Sequence, residues 1–111
     1  MTLAAEDAKL VTLARASRAR NAAAEGAAVR DPDGRTYAAS SVNLPSLQLT
    51  ALETAVAMAV SSGAKGLEAA AVVTAVEPAA VHVEAVRDLA GAGVAVHVAD
   101  WDGEVHGVVN T

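Results

Sequence analysis

The stretch from Leu67 to Val76, "LEAAAVVTAV", constrains the chain more than any other. It is apolar apart from Glu68 and Thr74 and ends at Glu77-Pro78. A strand with one wet face alternates polar and apolar residues, whereas a continuous apolar run marks a strand covered on both faces. "GVAVHVAD", from Gly93 to Asp100, repeats the pattern with one histidine in it. Two such strands need helices above and below the sheet, which predicts an α/β fold of three layers, α-β-α.

The intervening segments supply the helices. Pro78 suits a first helical position, and Val81, Ala85, Val86 and Leu89 predict a helix ending near Gly91. "LQLTALETAVAMAV", from Leu47 to Val60, is amphipathic: Leu49, Leu52, Val56, Ala59 and Val60 recur at helical spacing, with Ser46 as its cap and Gly63 as its stop. Thr2 is expected to cap a first helix with Glu6 and Asp7 early, Arg15, Arg18 and Arg20 late, and Leu3, Leu10, Leu13 and Ala14 along one face. That charge order suits the helix dipole, and the arginines read as a solvated helix end.

Between the first two helices, "EGAAVRD" and "RTYAASSV" are short apolar-rich runs joined by "DPDGR", in which Asp33-Gly34 signals a tight turn. A hairpin followed by strand-helix-strand crossovers implies a mixed sheet of about five strands, the last formed by "WDGEVHGVVN". No repeat or linker divides the 111 residues, so residues 1–111 read as one domain.

Composition narrows the function. Hydrophobic residues make up 53% of the chain, yet Phe is absent and aromatics are only 2%, so Ala and Val carry the core. Small side chains bury little area each, so such a core depends on close backbone approach and on partner surfaces, which favours an oligomer. A net charge of −5 argues against nucleic-acid binding, and only Tyr37 and Trp101 could stack on a base. Without cysteine there are no disulfides or thiolate metal ligands. The acidic start "MTLAAEDAKL" lacks signal-peptide character and no segment is long enough to span a membrane, so a cytoplasmic protein is expected.

Along nearly its whole length the sequence resembles a small bacterial cytidine deaminase. "LVTLARASRARNAA" is similar to that family's first helix, "GAAVRDPDGRTYAASSV" to its first hairpin, and "LTALETAVAMAVSSGAKG" to the helix that carries C-A-E-R-T-A. The resemblance implies a cytidine deaminase-like fold. In such enzymes a zinc ion held by Cys or His activates water, and a Glu beside the first ligand shuttles protons to the pyrimidine.

Carried over residue by residue, the motifs are degenerate. A gapless register on Thr54-Ala55 puts Thr50 at the first ligand and Leu52 at the proton shuttle; "PAAVH" puts Ala79 and His82 where two cysteines belong. A shift of one residue would instead put Glu53 at the shuttle and Ala51 at the ligand, so Glu53 is a residual catalytic candidate. Neither register restores a ligand set, which implies no metal and no cofactor. Zinc lowers the pKa of bound water from 15.7 to about 7, worth on the order of 12 kcal/mol, which a lone carboxylate cannot replace.

The family's ribose-holding N-x-E pair corresponds to Ser41 and Asn43 in "SVN", which can still hydrogen-bond. His82, His97 and His106 sit on separate elements and read as hydrogen-bonded or exposed side chains. Asp100, Trp101 and Asp102 read as a turn with an anchoring indole. The expectation is a zinc-free, catalytically inactive homologue, homodimeric or homotetrameric, with a structural, interaction or nucleoside-binding role and an old pocket that is dry and mostly filled by side chains such as Leu52. The alternative is a pyrimidine nucleoside deaminase with an altered metal site around His82.

Overall fold

The computed structural model describes residues 3–111. Helix α1 (Ala5–Asn21) leads into strands β1 (Gly26–Arg30) and β2 (Thr36–Ser40), then β3 (Val42–Leu44) and β4 (Leu47–Leu49). Helix α2 (Ala51–Ser61), β5 (Ala69–Val73), a 3-10 turn at Pro78–Ala80, α3 (Glu84–Ala90), β6 (Ala95–Ala99) and β7 (Val105–Asn110) follow. The five-stranded sheet has the order β2-β1-β5-β6-β7. Only β5 and β6 run parallel; the other neighbours are antiparallel.

The apolar run lies where its composition requires. All five residues of β5 are buried. On one face Leu10, Val11 and Ala14 of α1 pack against Ala28, Ala69, Ala71 and Val73. On the other, Leu52, Ala55 and Val56 of α2 and Val86 of α3 pack against Ala27, Val29, Ala70, Val72, Val96 and Val98. The result is the expected three-layer α-β-α sandwich around a mixed sheet.

Contact between α1 and the sheet is close because β1 opens on a glycine. A Cβ at Gly26 would stand 2.0 Å from the carbonyl oxygen of Ala14 and 2.8 Å from Arg18 Cβ. A polar tie reinforces the far end of the same helix: Asp7 accepts from Arg30 Nη2 at 3.1 Å and lies 3.2 Å from His97 Nε2, joining α1 to β1 and β6.

Both outer hairpins of the sheet turn on the same chemistry, D-x-D-G-x. At Asp31 the carboxylate Oδ1 accepts from the N–H groups of Asp33 and Arg35, while the peptide of Asp31 closes on Arg35. At Asp100, Oδ1 accepts from Asp102 and Glu104, and the peptide closes on Glu104. Gly34 (φ +84°) and Gly103 (φ +88°) take the left-handed conformation that completes each turn. Asp31 Oδ2 accepts from the Tyr37 hydroxyl at 3.0 Å, and Asp100 Oδ2 lies 2.8 Å from His106 Nε2. The hydrogen bond to Asp100 raises the His106 pKa above 6.5.

Four local expectations need correction. The helix expected from Leu47 begins at Ala51, because Leu47–Leu49 pairs with Val42–Leu44 across Pro45-Ser46. Ser46 therefore turns a hairpin, and Thr50 is the cap. The buried face of α2 is Ala51, Leu52, Ala55, Val56 and Ala59; Val60 lies more than a quarter turn round from its centre and is 53% exposed. The helix expected from Pro78 is delayed to Glu84, since the β-branched Val81 and Val83 pack into the core in non-helical conformations.

The arginines of α1 are not simply solvated. Arg15 Nε donates to the Trp101 carbonyl at 3.1 Å, and the Arg18 guanidinium lies 3.4 Å from the centre of the indole ring. The proposed Thr2 cap lies outside the described residues, and the N-cap position of α1 is Ala4.

Two outcomes follow from this packing. Gly26→Ala should destabilise the protein by about 1–3 kcal/mol or more, because the displaced partner is backbone that cannot turn aside; an unchanged urea midpoint would contradict the close approach. For Asp31, desolvation pushes the carboxyl up, but the Arg35, Tyr37 and Asp33 hydrogen bonds outweigh it and hold the pKa below its ordinary value. A lowered folded-state pKa contributes stability above the unfolded value and loses it as pH falls through the folded one. Asp31→Asn should therefore lower the melting temperature at pH 7 and flatten its fall below about pH 4; a melting curve as acid-sensitive as the wild type would count against it.

Candidate functional site

At the start of α2 and the end of β5 lies a cavity of about 230 Å³, lined by Glu25, Thr50, Leu52, Val72, Val76, Ala80, Val81 and His82. The close of β5 brings Val72 to its floor, and the extended segment after the 3-10 turn brings Val81 and His82 to its rim. Gly107 of β7 leaves room for Pro78, whose Cγ would stand 3.0 Å from a Cβ there, so the turn sits down on the sheet. Leu52 points into this cavity, yet about 230 Å³ stays open, so the expectation of a mostly filled pocket is not met.

The α2 start is built as a capping box. Thr50 Oγ1 accepts from the Glu53 N–H at 3.0 Å, and Glu53 Oε1 accepts from the Thr50 N–H at 2.8 Å. Glu53 is thus an exposed helix-capping carboxylate, whereas Leu52, 2% exposed, is the side chain that meets the cavity. Sequence alone left these two roles interchangeable; helical phase separates them by 100°.

The remaining sequence candidates divide between two places. His82 lines the cavity, but its side chain is 78% exposed and its Nδ1 lies 3.6 Å from Glu84 Oε2. Ala79 is exposed on the 3-10 turn and is not part of the lining. Ser41 and Asn43 line a neighbouring groove with Gln48 and Glu53, at the small β3-β4 hairpin. Glu25 and Thr50 border both spaces.

Glu25 and Thr74 are the residues that sequence reasoning missed. Glu25 Oε2 accepts from the Thr74 hydroxyl at 2.8 Å, and Thr74 Oγ1 accepts in turn from the Val76 N–H at 3.2 Å. The available signals were a charge directly before the glycine that opens a buried strand, and the one hydroxyl inside an apolar run.

These donors do not fit a zinc ion. Such a site needs at least three N, S or O ligands converging at 2.0–2.3 Å. Thr50 offers a hydroxyl already used in the cap, Ala79 offers nothing, and His82 points largely to solvent. Among the described residues, Asp100, Glu104 and His106 do bring ligand atoms within 4.8 Å of one another. They belong to the β6-β7 turn, where Asp100 already takes two N–H groups and His106.

The fold is similar to that of cytidine deaminase from Burkholderia pseudomallei, with a TM-score of 0.78 and 24% identity over 92% of this chain and 90% of that one. Cytidine deaminase from Mycobacterium leprae gives a TM-score of 0.71 and 22% identity over the same shares. No curated protein matches the sequence significantly. Residues 3–103, most of the chain, match the family described as "Cytidine deaminase-like". The chain therefore belongs to the cytidine deaminase-like family.

Proposed function

We propose that this protein is a catalytically inactive, zinc-free member of its family that binds a small ligand of the nucleoside class without turning it over, as a single-domain homodimer or homotetramer in the cytoplasm. The observation that carries the reading is Leu52. It lines the cavity at the position where the family resemblance puts a proton shuttle, while the nearest carboxylate on the helix, Glu53, is committed to the cap. A saturated side chain can shape a pocket and exclude water; it cannot move a proton.

Binding is supported by what the cavity retains. It combines apolar walls with a few polar groups, the composition of small-molecule sites. Ser41 and Asn43 stand in the adjoining groove, where a sugar reaching out of the cavity would meet them. Assembly is supported by exposed Leu44 and Leu47 on the β3-β4 hairpin and Met58 and Val60 on α2. Among the described residues no helix is long and apolar enough to cross a membrane.

Protein purified without chelator should contain far less than one zinc per chain by elemental mass spectrometry and release no ammonia from cytidine; stoichiometric zinc or turnover would overturn the reading. Light scattering should give the mass of a dimer or tetramer, and Leu44→Glu with Leu47→Glu should lower it to that of the monomer while the circular dichroism stays folded. A monomeric wild type would remove the assembly.

A further inference from the structure

We infer that the cavity beside α2 is a site for small planar molecules that present two adjacent N–H donors, of the amidinium, guanidinium or protonated amino-heterocycle type, and that Glu25 is the residue that recognises them. The inference rests on the ligand-binding reading above and names the chemistry of the ligand.

Glu25 is held as a recognition group is held. Its Oε2 is fixed by the hydroxyl of Thr74, a side chain only 3% exposed, whose own orientation is set by the Val76 N–H. Among the described residues nothing else donates to the carboxylate of Glu25, which lines the cavity, so Oε1 and the second lone pair of Oε2 are free to accept from a ligand.

The backbone on which Glu25 stands is held from three directions. Arg18 Nε donates to the Ala23 carbonyl at 3.1 Å, Trp101 Nε1 donates to the Ala24 carbonyl at 3.2 Å, and the Ser41 N–H donates to the Glu25 carbonyl at 3.2 Å. A carboxylate fixed by Thr74 on a backbone held from α1, from the β6-β7 turn and from the end of β2 loses little freedom on binding, which favours affinity.

Charge and size select the ligand. Neither Lys nor Arg lines the cavity or the adjoining groove, and Glu53 adds a second carboxylate at the groove. Phosphates and carboxylates find no Lys or Arg there, and the imidazole of His82 at the rim is 78% exposed and lies 3.6 Å from Glu84, whereas paired N–H donors match the two oxygens of Glu25 in the fork geometry that makes charge-assisted pairs strong. At about 230 Å³ the space is below the roughly 300–1,000 Å³ of drug-sized sites, so it suits a single ring seated on Leu52, Val72 and Val81.

Benzamidine is a direct probe, with benzoate as its planar anionic counterpart. Calorimetry and thermal shift should show benzamidine binding and stabilising the protein, and benzoate doing neither. Glu25→Gln, which keeps the acceptor for Thr74, should weaken benzamidine about tenfold or more. Ala80→Trp, at an exposed wall residue, should block it by bulk while the unliganded melting temperature stays near that of the wild type.

Benzamidine binding that ignores both substitutions, or benzoate binding equally well, would overturn the assignment of Glu25. Binding of cytidine or uridine that Ser41→Ala or Asn43→Ala weakens, without any benzamidine binding, would overturn this inference and leave the broader reading standing. Failure of benzamidine and of the nucleosides alike would overturn both.

Discussion

The contact on which the rest of the structure depends is the close seating of α1 on β1 at Gly26. A chain without Phe cannot fill a wide gap between helix and sheet, so the layers themselves must approach. Gly26 allows this at one end of α1, Ala14, Ala28, Ala69 and Ala71 continue it, and Asp7 with Arg30 and His97 closes the other end. Dispersion falls steeply with distance, so small side chains stabilise a fold only where backbones come this near.

The same contact positions the candidate site. Because α1 lies against the start of β1, Arg18 reaches both the indole of Trp101 and the carbonyl of Ala23, and the segment from Ala23 to Glu25 is held at the cavity edge. The loop before β1 brings a carboxylate to this wall. At the start of α2, Thr50 and Glu53 satisfy each other at the helix end, and Leu52 gives an apolar wall. A capped helix start stands beside a small cavity.

Much of the architecture was legible because it rests on patterns with a direct physical meaning. The continuous runs at Leu67–Val76 and Gly93–Asp100 contain the two parallel strands, and "DPDGR" turns the first hairpin through Gly34 as its residues require. What escaped were choices between locally similar options. Pro45-Ser46 reads locally as the approach to a helix, although Leu44 and Leu47 pair across it; the capping box that begins four residues after Ser46 is the stronger start, since it satisfies two orphan N–H donors at once. The helix placed at Pro78 failed because Val81 and Val83 gain more by entering the core than by propagating a turn. Of the candidate site, Thr50, Leu52 and His82 do meet at one cavity, while Ser41 and Asn43 lie in the next groove and Ala79 lies outside both.

By itself the sequence determined the layered α/β class, the order of the main elements and the absence of cysteine ligands, because burial, turn chemistry and residue inventory are properties of short stretches. Only the tertiary structure decided which of Leu52 and Glu53 meets the cavity, that space remains there, and that Glu25 of its wall is held by Thr74, 49 residues away. Those outcomes depend on helical phase and on which strand ends meet in space, and no local pattern carries either.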